Sequence, residues 1–149
     1  MNIAFFLTQK KDVVYLKNNV TIRQALEKME YHRYSAVPLI DKEGRYTGTL
    51  TEGDLLWHMK HNDELSFKDA YKVNIRDVNK HMTNNAVKID SDMQNLIELA
   101  KKQNFVPVVD DNEIFIGIIK RSDIISYRHD NIDKQDKQDK QEKDLALIS

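Results

Sequence analysis

Cysteine is absent from the 149-residue chain. Its absence excludes a disulfide scaffold, thiolate metal sites and cysteine catalysis, and it favours a reducing compartment. Long apolar runs are missing too. The run near the N-terminus, Ile3 to Leu7, is followed by lysines. A secretory signal needs the opposite order and a longer stretch, and a spanning helix needs about 18 apolar residues. The expectation is a cytoplasmic protein with no membrane partner. An excess of one charge is also lacking: 23 basic residues stand against 24 acidic ones, for a net charge of −1. No overall field draws such a chain to nucleic acid, so no direct nucleic-acid binding is expected. Phosphate-binding glycine loops, nucleophile elbows and zinc-protease helices are all missing. His58 and His61 have metal-compatible spacing, but no nearby cluster completes a ligand set, so no metal is expected. Asp110-Asp111-Asn112 lacks the glycine and closing glutamate of a calcium loop and reads as a hairpin turn. No nucleophile–base pair is evident, and an enzyme is not expected.

What the chain does have is a stretch used twice. Val37 to Leu56 reads VPLIDKEGRYTGTLTEGDLL, and Val106 to Ile125 reads VPVVDDNEIFIGIIKRSDII. A shift of 69 residues superposes them without a gap. A repeat of this size points to one supersecondary unit used twice. In the first copy, Asp12 to Leu16 reads as a short strand. Thr21 then precedes Ile22, Ala25, Leu26 and Met29, the spacing of an amphipathic helix, with Gln24 completing a capping box. Ser35 to Ile40 is a strand whose Pro38 lacks an amide hydrogen. Gly44 supplies the turn, Tyr46 to Leu50 the hairpin partner, and Thr51 the cap of a second helix carrying Trp57. The second copy repeats this with Ala86 to Ile89, a Ser91/Gln94 cap, Phe105 to Val109, Ile114 to Ile119 and a helix opening at Asp123.

The expected division is a first repeat at 1–61, a linker at 62–74, a second repeat at 75–129 and a polar tail at 130–149. Leu65, Phe67, Ala70 and Tyr71 suggest a short helix inside the linker. The tail, with its period of three and no apolar face, is expected to be disordered, although its acid-before-base pairs at i, i+4 favour transient helix. The copies differ in one place. Ala25 to Pro38 is 13 positions, whereas Leu96 to Pro107 is 11. The second copy lacks the equivalent of Tyr34-Ser35, so two equal clefts are not expected.

The copies resemble CBS domains, β-α-β-β-α units named after cystathionine beta-synthase, which pair in one chain as a Bateman module. The resemblance rests on Gly-hydrophobic-hydrophobic-Ser/Thr-x-x-Asp at the end of the last strand. Here it reads Gly48-Thr49-Leu50-Thr51-Glu52-Gly53-Asp54 and Gly117-Ile118-Ile119-Lys120-Arg121-Ser122-Asp123, with Lys120 in place of Ser or Thr. It implies a mixed α/β (α+β) fold of two repeats with pseudo-twofold symmetry. It also implies a regulatory site for AMP, ADP, ATP, S-adenosylmethionine or cyclic di-AMP, with no required cofactor. The motif carboxylate would accept from the ribose hydroxyls. One cleft would join Val14, Tyr34, Ser35 and Ala36 to Lys120, Arg121, Ser122 and Asp123. The two cations read either as phosphate partners or as solvated surface. A weaker cleft would join Thr51 and Asp54 to Ala86, Val87 and Phe105. The resemblance further implies a homodimer that signals nucleotide occupancy to a separate effector protein, or alternatively a ligand-free dimerising scaffold.

Overall fold

The computed structural model describes residues 2–62 and 66–148; Leu65, expected in the linker helix, lies outside them. The first copy runs β2 (Leu16–Lys17), α1 (Ile22–His32), β3 (Ala36–Ile40), β4 (Tyr46–Thr51) and α2 (Glu52–His61). The second runs β5 (Val87–Lys88), α3 (Met93–Ala100), β6 (Phe105–Val109), β7 (Phe115–Lys120) and α4 (Arg121–Ile148). Both are β-α-β-β-α, and the class is mixed α and β, as the repeat implies. One sheet has the order β2-β3-β4. The other has β1-β7-β6-β5, where β1 is Leu7–Gln9. In each copy the first strand is parallel to the second, and the hairpin is antiparallel.

Local chemistry fixes the ends of these elements. The Thr21 hydroxyl accepts from the Gln24 amide at 3.2 Å and the Gln24 side chain accepts from the Thr21 amide at 2.9 Å, which closes the expected capping box. Helix α1 buries Ile22, Ala25 and Met29 and ends at Arg33, whose φ of 58° is left-handed. The α3 cap differs from expectation. Asp92, not Ser91, accepts from the Asn95 amide, at 2.7 Å, while Ser91 takes the Asn95 side chain at 3.0 Å. A carboxylate at a helix N-terminus is the stronger acceptor and also gains from the dipole. The linker holds a short 3-10 helix, Phe67–Lys72, against α1. The tail is not an unstructured run: α4 continues through it to Ile148. Its stacked acid-before-base pairs, one turn apart, all favour continuing the helix.

Among the described residues there are two cores, and each includes a leader that the sequence places with the other copy. Ile3 and Phe6 pack with Val87, Leu96, Val106 and Ile119 of the second copy. Ile75 and Val78 pack with Ile22, Ala25, Leu39 and Leu50 of the first. Both leaders begin with a capping asparagine: Asn2 accepts from the Ala4 amide and Asn74 from the Arg76 amide, each at 2.9 Å. Residues 2–9 therefore pack and pair with the second copy. The hairpin turns of the two copies meet at the pseudo-twofold. The Phe115 amide donates to the Gly44 carbonyl at 2.8 Å, and the equivalent rings Tyr46 and Phe115 stack 6.5 Å apart. Among the described residues no helix is long and apolar enough to cross a membrane.

Candidate functional site

The ladder between β2 and β3 stops early, and the reason is Pro38. Leu16 pairs with Leu39 and Lys17 with Ile40, and the Asn18 amide donates to the Ile40 carbonyl at 3.0 Å. Earlier along β2 in that phase, the Val14 carbonyl would take its proton from the amide of residue 38. Proline has none. The strand expected over Asp12 to Leu16 is accordingly only Leu16–Lys17. Among the described residues, the N–H and C=O of Val14 have no hydrogen-bond partner. A peptide edge left in this state needs water or a ligand.

A cavity of about 240 Å³ opens beside that edge. Val13 and Val14 form one wall, and Tyr34, Ser35, Ala36 and Pro38 form a second. The second copy supplies Asn104, Phe105, Ile118, Lys120 and Ser122, and the N-terminal segment supplies Thr8 and Asp12. Six of the eight residues expected in this cleft are thus brought together. Arg121 and Asp123 are not in the wall. The Arg121 side chain is held by Asn104, and its amide donates to the Asn104 carbonyl at 3.0 Å. Asp123 is exposed on the first turn of α4, next to Ser122. Lys120 and Asp12 are the charged side chains of the wall. Thr8 and Asp12 were missed from the sequence because nothing in their spacing shows that the N-terminal segment crosses to the second copy, and Asn104 because a lone asparagine in a bend carries no pattern.

The weaker cleft is not assembled as expected. Phe105 belongs to the wall just described. Val87 is buried in the core, and neither it nor Ala86 lines the shallow depression around Thr51, Asp54, Trp57 and Met82. Asp54, 2% exposed, has its oxygens engaged within the protein. One accepts from the Thr51 amide at 3.0 Å. The other accepts from the His81 amide at 3.0 Å and lies 3.2 Å from His81 Nδ1. The Thr51 hydroxyl in turn accepts from the Asp54 amide, so this pair is a capping box. The neighbouring Lys80 ammonium sits below its ordinary pKa because burial disfavours its charge, against the pull of Asp54 and Asp77.

The Pro107 ladder leaves the same gap in the second copy, and there it is filled. The Ile89 amide donates to the Val109 carbonyl at 3.0 Å, so the phase repeats and the Asn85 carbonyl is the one without a strand donor. Gln103, 4% exposed, spans the gap. Its Oε1 accepts from the Asn85 amide at 2.9 Å, and its Nε2 donates to the Asn85 and Phe105 carbonyls at 3.1 and 3.2 Å. Gln103 immediately precedes Asn104 as Tyr34 precedes Ser35. The shorter bend therefore points a carboxamide inward where the longer bend places an aromatic ring at the cavity wall.

Comparison with known proteins agrees with this architecture. The family model described as CBS domain matches residues 8–61 and 75–130. An inosine-5'-monophosphate dehydrogenase of Methanocaldococcus jannaschii is 31% identical over 122 residues, 79% of this chain but 22% of that protein, so the chain spans about a fifth of that relative. A CBS domain protein from Streptococcus pneumoniae superposes with a TM-score of 0.76 at 26% identity, covering 86% of each chain. The CbpB protein of Listeria monocytogenes in complex with c-di-AMP superposes with a TM-score of 0.76 at 19% identity, covering 87% of this chain and 96% of its own; at that identity the likeness is one of fold. The chain belongs to the CBS domain family and carries two such domains in tandem.

Proposed function

We propose that the chain is a regulatory module that binds an adenine nucleotide, AMP, ADP, ATP or cyclic di-AMP, in the cleft between its two copies. The observation that carries this reading is the open peptide edge of Val14. It offers a donor and an acceptor side by side. Adenine carries the complement, an amino donor beside a ring-nitrogen acceptor. Tyr34 gives an aromatic surface next to that edge. Ser122 and Asp123, at the start of α4, suit the ribose hydroxyls, and Lys120 suits a phosphate as a point charge. The cyclic dinucleotide bound by the Listeria monocytogenes relative is of the same chemical class.

Occupancy reaches the surface by a short route. The Ser35 carbonyl accepts from the Glu52 amide at 2.9 Å, which ties the cleft's bend to the start of α2. That helix exposes Leu56 and Trp57, and Ile125 is exposed at the equivalent position of α4. We assign this pair of helices to a homodimer contact, and the output to a separate effector protein. A ligand changes that output only if its affinity differs between two states. The scaffold reading is favoured by one observation, the engaged state of Asp54. Thermal unfolding with AMP, ADP, ATP, S-adenosylmethionine and cyclic di-AMP separates the two. A ligand at 100 times its Kd adds about 2.7 kcal/mol, and Asp123→Ala is expected to remove the gain. No shift with any of the five leaves the scaffold.

A further inference from the structure

We propose that Gln103 is a built-in ligand of the second groove, so that each chain binds one nucleotide rather than two. This rests on the reading of the first cleft as a nucleotide site. Val14 and Asn85 are equivalent: each is two residues before its strand, and each has lost a ladder donor to a proline. At Val14 the edge is open to a cavity. At Asn85 the Gln103 carboxamide donates to the carbonyl and accepts from the amide, the same pair of contacts an adenine edge would make. The carboxylate at the ribose end is engaged as well: Asp54 accepts from the Thr51 and His81 amides.

A further observation marks this groove as a masked site. Asn84 is 6% exposed, and its Nδ2 is buried with no partner among the described residues. Its carbonyl takes the Tyr46 hydroxyl at 2.9 Å. A buried donor without a partner is costly, a cost this groove retains although its own side chains close it. The consequence is a division of labour. The second copy is locked in a ligand-like state by its own side chains, and the first copy alone responds to nucleotide.

Isothermal titration with AMP, and separately with cyclic di-AMP, tests this on the full chain and on Gln103→Ala/His81→Ala. The expected stoichiometry is one adenosine unit per wild-type chain and two per variant chain. Two on the wild type, or one on a folded variant, overturns the inference and leaves the first cleft standing. Binding to neither protein sinks both. Amide exchange on the unliganded wild type provides a readout that needs neither variant nor ligand. The Asn85 amide is expected to exchange at least ten-fold more slowly than that of Val14, and equal rates overturn the inference.

Discussion

Asp54 and Asp123 occupy the same place in the repeated motif, yet one is buried and the other exposed. Asp54 is buried, caps α2 and holds the His81 amide. Asp54→Ala removes a cap, at about 1 kcal/mol, and leaves the part-buried His81 amide without its acceptor, at about 1–3 kcal/mol. Urea unfolding should show a loss of about 2–4 kcal/mol. Asp123→Ala should stay within about 0.5 kcal/mol in the same assay, because an exposed side chain away from packing contributes little. The two losses coming out equal would contradict the assignment. Tyr46 gives a pH test. Burial pushes its phenol up to about 12, against a small downward pull from the Thr49 hydroxyl 2.7 Å away. The unfolded chain ionises near pH 10, before the folded one. Tyr46 therefore contributes stability that is complete below pH 10 and is lost, at about 1.4 kcal/mol per pH unit, as pH rises towards 12. Unfolding curves at pH 9 and 11.5 should show that slope, and Tyr46→Phe should reduce it.

Among the elements, the repeated strands β4 and β7 look alike and sit differently. A methyl group on Gly117 would lie 2.1 Å from the Thr8 carbonyl oxygen, whereas one on Gly48 would meet nothing within 4 Å. The cause is β1, which pairs with β7 through Gln9 and Gly117, while among the described residues no strand covers the outer edge of β4. Gly117→Ala should destabilise by about 1–3 kcal/mol through forced backbone movement. Gly48→Ala should cost far less, and thermal unfolding of the pair decides it. Nothing in the two glycine motifs distinguishes them, and the same limit holds elsewhere in the chain. The helices, hairpins and turns were legible in the sequence because apolar spacing, capping residues and Gly44 act within a few neighbours. Most of the first cleft followed from the resemblance, which assigns the first strand, the bend before the Pro38 strand and the end of the second motif to one site. The leaders were not, since Ile3 and Ile75 sit in dissimilar stretches, IAFF and IRDV, and reveal their exchange only through packing. Gln103 was missed for a related reason. A glutamine in a bend has no pattern, and its role appears only once the phase of the β5–β6 ladder is known. The length of α4 was not legible because weak i, i+4 pairs are individually small and add up only over several turns.

For the whole molecule, the described residues form two cores, with the cavity at Val14 open between the copies. If α2 and α4 form the contact between chains, Leu56→Lys/Ile125→Lys should convert a dimer to a monomer in light scattering, with the fold retained by circular dichroism. A wild-type monomer would remove the homodimer from the account. The central claim is that an adenine base seats on the Val14 edge. The direct measurement is a titration of isotope-labelled protein with an adenine nucleotide, monitored through its amide resonances. The account predicts that Val14, Ser35 and Ala36 shift and saturate, while Asn85 and Gln103 hold still. Shifts centred on Asn85 and Gln103, or none at Val14, would contradict it.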